Sequence, residues 1–133
     1  EALPEFVIPK VYTQIGALDQ SIIVGENIIG VSLDKYLGED YPLYAKYYAK
    51  DQRATMMRAY IVPDCLNFYL LSLYPLHDAD QRSQQEKDMH MARIMYAANT
   101  FVGYKAFSTP YVAQVEQYMK AHKDLSLADL LKQ

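Results

Sequence analysis

The sequence has no tryptophan, and its single cysteine, its lack of a long apolar run and its lack of net positive charge each exclude a class of structure or partner. Because Cys65 is the only cysteine among 133 residues, no disulfide can form within the chain. The most apolar stretch, Leu66 to Leu76, is far shorter than the roughly 20 residues that a membrane-spanning helix needs. The net charge of −3 provides no basic surface, so we expect no nucleic-acid partner.

Patterns that would mark a catalytic or metal site are also lacking. No two of His77, His90 and His122 have the i, i+2 or i, i+4 spacing that directs two ligands to one metal ion. No histidine stands in a recognisable pattern around Cys65, so we interpret the thiol as a small core side chain rather than a nucleophile. The sequence therefore predicts no catalytic residue, no metal and no cofactor.

Tyrosine is present in excess, with 13 residues. Its side chain offers apolar area with a polar tip, so it suits half-buried core positions and also ligand-binding surfaces. The hydrophobic fraction of 51% and the charged fraction of 22% are those of a globular chain, and the length suffices for one hydrophobic core. We expect a single domain over residues 1–133, or a piece of one, whose tyrosines either fill the core or line a site.

The stretch from Ile22 to Leu33 predicts a β-hairpin. β-Branched residues stand on both sides of a short turn, Gly25-Glu26-Asn27, which is typical of two antiparallel strands. Because side chains alternate along a strand, Ile29, Val31 and Leu33 are expected on one face of the returning strand.

The rest of the chain predicts an α+β fold. Val11 to Ile15 alternates apolar and polar residues, which indicates a further strand. A small, mainly antiparallel sheet therefore occupies residues 1–38, and a helical part follows over 42–133. Apolar residues at i, i+3, i+4 and i+7 predict helices over about 64–74 and 86–102.

Capping signals mark the ends of these helices. Asp64 complements the positive end of the first helix, and Gly103 is placed to end the second. The helix over about 86–102 is expected to carry an apolar stripe from Met91 to Val102. Thr109-Pro110 begins a further helix. Ser126 and Asp129 resemble a capping box before a short last helix.

The link between sheet and helices predicts a structural corner. Asp34 directly follows the strand, and its carboxylate can accept backbone N–H bonds from the turn, as in an Asx turn. Gly38 can adopt a backbone conformation that a residue with a side chain resists. We therefore expect Asp34 and Gly38 to hold the corner between strand and helix.

A cluster of tyrosines surrounds this corner. Pro42 is expected at the start of a helix whose i, i+3, i+4 spacing places Tyr44, Tyr47 and Tyr48 on one face. Aromatic faces next to a few polar groups can bind a small ligand or a glycan. The candidate binding residues are Asp34, Lys35, Tyr36, Tyr41, Tyr44, Tyr47 and Tyr48.

The run IIGVSLDKYLGEDYPLY, followed by YIVPDCL, resembles the gliding-motility lipoprotein B (GldB-like) family of envelope proteins and the lipoproteins of its non-gliding gut relatives. The preceding PKVYT fits the same pattern. The resemblance implies an exported protein of the periplasm or cell envelope, anchored to the membrane only through a lipid that belongs to the precursor. The matching residues are Gly30, Leu33, Asp34, Tyr36, Leu37, Gly38, Tyr41, Pro42, Tyr44, Ile61, Val62, Pro63 and Asp64.

The layout of this family also resembles a zinc metallopeptidase scaffold. Such a scaffold needs H-E-x-x-H on its first helix, so that two histidines meet the metal on one face, and a glutamate on its second helix. Here the first helix, Ile61 to Phe68, has no histidine, and Met91 stands where the family carries glutamate. If the fold is zincin-like, we expect a degenerate scaffold without enzyme activity.

Three functions fit the sequence. The first is a non-catalytic envelope protein that binds another protein, and the second is a small-ligand or glycan-binding module that uses the tyrosine cluster. The third is a hydrolase that uses the carboxylates of Asp34, Asp40 and Asp64, which would require a fixed separation between two of them. Asp34 as a strand-end cap and Asp64 as a helix-dipole partner are the simpler interpretations, so we favour the first function.

Overall fold

The computed structural model describes residues 7–15 and 21–133. The chain divides into two compact units, a sheet unit over Ile8–Phe68 and a helical unit that includes Tyr69–Gln133. A small sheet followed by helices confirms the predicted α+β class. The expectation of a single domain stays a prediction.

Three strands form the sheet in the described part of the chain: β1 (Lys10–Gln14), β2 (Ile22–Gly25) and β3 (Ile28–Ser32), with β3 in the middle. β2 and β3 are an antiparallel hairpin, as predicted, and Asn27 in its turn has a φ of 57°. β1 instead pairs with β3 in parallel. The alternation of a strand reveals its buried face but not its direction, so the sequence could not show this pairing.

The inner face of the sheet carries the buried apolar residues of the hairpin. Ile22, Ile29 and Val31 are buried there. Leu33 was expected beside them, but the strand ends before it and a 3₁₀ turn (Leu33–Lys35) begins, so its side chain is exposed. On the opposite face the exposed apolar side chains are Tyr12, Ile23 and Ile28.

The predicted tyrosine-faced helix after Pro42 is wrong. α1 (Tyr44–Tyr47) is a single turn, and Tyr48 after it is extended, with a φ of −130° and a ψ of 141°. Tyr44 is buried whereas Tyr47 is exposed, so the two side chains do not share a face. A helix this short gains too few hydrogen bonds to offset its nucleation, so the packing of Tyr44 decides the local conformation rather than the residue spacing. α2 (Lys50–Arg53) is a second single turn.

The longer helices lie close to the predicted ranges. α3 (Ile61–Leu73) and α4 (Gln84–Val102) confirm the helices expected over 64–74 and 86–102. The boundary between the two units falls inside α3, after Phe68. α5 (Pro110–Ala121) and α6 (Leu127–Leu131) complete the helical unit.

The helix caps follow the sequence signals. Gly103 ends α4 with a φ of 82°, a conformation that glycine tolerates best. Thr109 Oγ1 accepts a hydrogen bond from the Val112 N–H at the start of α5. The predicted capping box of α6 is present, since Ser126 and Asp129 each accept a hydrogen bond from the backbone N–H of the other.

The core of the helical unit packs α4 against α5 and α6 through Ala92, Val112, Val115 and Leu130. The predicted apolar stripe of α4 is only partly correct, because Phe101 is exposed and the buried residues are largely small. No helix in the described ranges combines the length and the apolar character that crossing a bilayer requires. The buried residues of α4 are His90, Ala92, Ile94, Ala97 and Ala98.

Candidate functional site

The buried hydroxyl of Tyr44 holds the turn that follows β3. It donates a hydrogen bond to the carbonyl oxygen of Asp34 and accepts one of 3.2 Å from the backbone N–H of Leu37. The side chain is fully buried, at 0% exposure. One phenol therefore pairs two backbone groups of the turn, each of which needs a hydrogen-bond partner. We call the segment from Asp34 to Tyr48 the tyrosine corner.

Gly38 gives the tyrosine corner its sharp change of direction. Its φ of 111° lies in the region that residues with a side chain rarely adopt. Its N–H donates to the Met56 carbonyl at 2.9 Å, and its own carbonyl accepts from the Tyr41 N–H at 3.1 Å. The conformational role predicted for Gly38 is thus confirmed, while a capping role for the Asp34 carboxylate stays a prediction.

Tyr36 connects the tyrosine corner to α3. Its hydroxyl donates a 2.8 Å hydrogen bond to Asp64 Oδ2. Burial raises the pKa of Asp64 from its ordinary value of 3.8 to about 6, and the bond from Tyr36 opposes this rise. Burial, together with the nearby Asp64 charge, also raises the pKa of the Tyr36 phenol. At neutral pH the pair is therefore a neutral phenol donating to a carboxylate.

The thiol next to this pair is a poor nucleophile. Cys65 is buried, as predicted, and burial followed by the Asp64 charge raises its pKa to about 11. A thiol must lose its proton to attack, so Cys65 stays in its unreactive form at neutral pH. This supports the interpretation of Cys65 as a core residue.

Lys35 is buried within the tyrosine corner, at 7% exposure. Its ammonium donates a 2.7 Å hydrogen bond to the Tyr48 hydroxyl and lies 4.8 Å from the centre of that ring. A buried ammonium needs such partners, and the ring face adds a cation–π contact. The Lys35 ammonium, which the sequence suggested as a polar group that could orient a ligand, is thus hydrogen-bonded to another side chain of the protein.

Apolar side chains on the outside of the tyrosine corner form what we call the exposed rim, which consists of Leu37, Tyr41, Leu43 and Tyr47. Tyr47 is the most exposed of them, at 67%. Tyr41 packs edge-on against the buried ring of Tyr44, with ring centroids 5.0 Å apart. The buried part of the corner thus fixes the position of at least one rim tyrosine.

The seven predicted binding residues all lie in the tyrosine corner, and the structure separates them into buried and exposed side chains. Lys35 and Tyr44 are buried and bonded within the corner, Tyr36 is buried and bonded to Asp64 of α3, and Tyr41 and Tyr47 are exposed. A binding role for any of the seven stays a prediction. The residue that sequence reasoning missed as a partner is Asp64, because a hydrogen bond over 28 residues leaves no local pattern.

The described histidine, cysteine and acidic side chains do not form a metal site. In residues 7–15 and 21–133, no group of three or more His, Cys, Asp or Glu side chains is arranged to hold a metal ion. His90 lies within α4, where its Nε2–H donates to the Tyr74 carbonyl at 2.8 Å. Burial lowers its pKa, so the ring is neutral at pH 7.

Comparison with known proteins identifies a family model that spans the tyrosine corner and α3. The family model of gliding motility protein GldB, a lipoprotein family, matches residues 1–109, a range that includes both Tyr36 and Asp64. No curated protein and no solved structure matches the chain. The family is one of gliding-motility lipoproteins, which indicates an association with the cell envelope. The chain belongs to the gliding motility protein GldB family.

Proposed function

We propose that the chain is a non-catalytic domain of an envelope lipoprotein and that it binds another envelope protein through the exposed rim. The observation that carries the proposal is the separation of the tyrosines by burial. Tyr36 and Tyr44 are held inside by hydrogen bonds, and Tyr41 and Tyr47 are displayed outside. A rigid frame that presents aromatic side chains loses little conformational entropy on binding.

The chemistry of the exposed rim favours a protein partner over a sugar. Interface cores are enriched in tyrosine and other large apolar residues, as the rim is. A glycan site also needs several polar groups that converge beside the aromatic face. In the tyrosine corner the tips of Lys35, Tyr36 and Tyr44 are already hydrogen-bonded within the protein. Protein binding is therefore our first proposal, and glycan binding is an outcome that the experiment below distinguishes.

The absence of catalysis is also part of this proposal. The first helix lacks the H-E-x-x-H sequence, and Met91 stands where the related scaffold has glutamate. The Asp64 carboxylate accepts a hydrogen bond from Tyr36, and the neighbouring thiol keeps its proton at neutral pH. These features support structural roles for both side chains. The protein would act in the periplasm, held by the lipid of its precursor.

Photo-crosslinking tests the proposed surface. A photoreactive phenylalanine analogue replaces Tyr47 in the precursor expressed in its native cells, and the envelope proteins attached after irradiation are separated by mass. Tyr104 is the matched control, because it is also an exposed tyrosine, at 55%, but lies in the helical unit. We expect a discrete protein adduct from position 47 and none of that mass from position 104.

Two results would contradict the proposal. Equal adducts from positions 47 and 104 would show random encounters rather than binding at the exposed rim. Loss of the adduct when soluble envelope glycans are added in excess would favour the glycan alternative.

A further inference from the structure

Arg93 carries a positive charge on α4 that no described residue neutralises. Its Nε atom is buried and has no hydrogen-bond partner in the described residues. The ion pairs found in the helical unit use other cations, joining Arg82 to Glu86 and Lys105 to Glu116. Burial lowers the pKa of the guanidinium, and within residues 7–15 and 21–133 no acidic side chain opposes that effect. Burying the Nε–H of an arginine without a hydrogen-bond acceptor costs free energy in the folded protein.

The Arg93 side chain lines a cavity of about 280 Å³ within the helical unit. Met89, Val115 and Leu130 provide its apolar walls, and Gln114 and Tyr118 provide polar groups. The cavity lies where α4 packs against α5 and α6, and its apolar walls belong to the core of this unit or pack against it. A small, mostly apolar space with a few polar groups is the usual form of a small-molecule site.

We propose that this cavity binds a small molecule with an apolar body and one carboxylate, which pairs with the guanidinium of Arg93. The planar guanidinium presents two parallel N–H donors that match a carboxylate, and charge assistance strengthens both bonds. The apolar walls would take up the body of the ligand. A single negative charge suits the site better than a dianionic phosphate, because one guanidinium would leave the second charge uncompensated among apolar side chains.

Two features of the surroundings agree with an anionic ligand. Burial is the main cause of the lowered pKa of His90, and the charges of Arg93, Arg82 and His77 add to it, so basic side chains lie near one another around His90. The protein as a whole has a net charge of −3, so this grouping of basic side chains is not a general property of the chain. An entering carboxylate would meet favourable charge at the cavity.

Octanoate is the probe for a first test, and octan-1-ol is its uncharged counterpart of the same chain length. Binding is followed through the methyl signal of Met89 in NMR spectra of the whole protein labelled at its methionines. We expect octanoate to shift this signal in a saturable manner. Octan-1-ol should bind about tenfold more weakly or worse, because it cannot form the charge-assisted pair.

Substitutions assign the effect to Arg93. Arg93→Met keeps an unbranched apolar stem and should weaken octanoate binding about tenfold or more while leaving the binding of octan-1-ol unchanged. Lys120→Gln removes one positive charge from an exposed position of α5 outside the cavity and should leave both affinities unchanged. Circular dichroism of each variant checks that it is folded.

The inference is overturned if octanoate produces no saturable shift at Met89, or if it binds the unmodified protein no better than octan-1-ol. Both of these comparisons use the native sequence, so they decide the question even where Arg93→Met fails to fold. Equal octanoate affinities of the native protein and a folded Arg93→Met variant would also overturn it.

Discussion

The Tyr36 hydroxyl and the Asp64 carboxylate are 28 residues apart in sequence and are joined by a 2.8 Å hydrogen bond. Tyr36 follows β3, and Asp64 lies in the first turn of α3. Tyr36 and Asp64 belong to the two separate sequence segments that resemble the family. Their contact gives a physical reason why the two segments occur together. It ties the tyrosine corner to the helix that follows it.

The Tyr36–Asp64 bond should contribute measurably to stability. We expect Tyr36→Phe to lower the free energy of unfolding by about 1–3 kcal/mol, because it leaves a half-buried carboxylate without its donor. Combined with Asp64→Asn in a double-mutant cycle, it should give a coupling energy of about 1–2 kcal/mol in urea denaturation. Tyr12→Phe, at an exposed tyrosine of β1, is the control and should change stability by less than about 0.5 kcal/mol. A coupling energy near zero would show that the contact is incidental.

The Asp64 carboxyl should give stability a distinctive pH dependence. Its pKa is about 6 in the folded protein and 3.8 without the effect of burial. Between these values the folded state binds more protons than the unfolded state, so the contribution of Asp64 to stability falls as pH rises from about 4 to about 6 and is constant above that. The lowered pKa of His90 acts in the opposite direction, because stability is then lost as pH falls below its ordinary value of 6.5.

Asp64 and His90 have opposite effects on the pH dependence of stability. The quantity to measure is therefore the difference in free energy of unfolding between the native protein and Asp64→Asn at each pH. Relative to the variant, the native protein should lose free energy of unfolding as pH rises from 4 to 6. A difference that is independent of pH, or that rises through this window, would contradict the raised pKa of Asp64.

The buried hydroxyl of Tyr44 should be required for the tyrosine corner. Tyr44→Phe keeps the ring but leaves the Asp34 carbonyl and the Leu37 N–H without this partner, so we expect a loss of about 1–3 kcal/mol in the free energy of unfolding. Tyr47→Phe is the matched control at an exposed position and should be nearly neutral. Thermal and urea denaturation compare the two, and equal stabilities of both variants would refute the role given to Tyr44.

Gly38 should resist substitution for reasons of backbone conformation alone. A Cβ atom at Gly38 would meet nothing within 4 Å, so the cost of Gly38→Ala comes from its φ of 111° and should be about 1–2 kcal/mol. Gly25→Ala is the control, since a Cβ there also has open space and the glycine has no positive φ. If both variants have the stability of the native protein, the left-handed conformation of Gly38 has no energetic importance.

The sequence predicted features that depend on local patterns. The hairpin, α4, the Gly103 stop and the capping box at Ser126 each follow from residues a few positions apart. The parallel pairing of β1 could not be predicted, since strand direction depends on the path of the chain between strands.

The candidate site was predicted as a segment but not as a geometry. Residue spacing placed Tyr44 and Tyr47 on one helix face, yet burial separates them because α1 is only one turn long. The Tyr36–Asp64 bond and the position of the Arg93 guanidinium, whose Nε has no partner among the described residues, depend on how distant elements pack, so neither has a signature in the sequence.

The central claim is that the buried tyrosines form a frame and that the exposed ones recognise a partner. The most direct measurement combines melting temperature with the yield of the crosslinked partner from a photoreactive residue at Leu37, another member of the exposed rim. For Tyr41→Ser combined with Tyr47→Ser, we predict loss of most of the adduct and a melting temperature only modestly below that of the native domain, because Tyr41 loses its edge contact with Tyr44. An undiminished adduct in this folded double variant would contradict the claim.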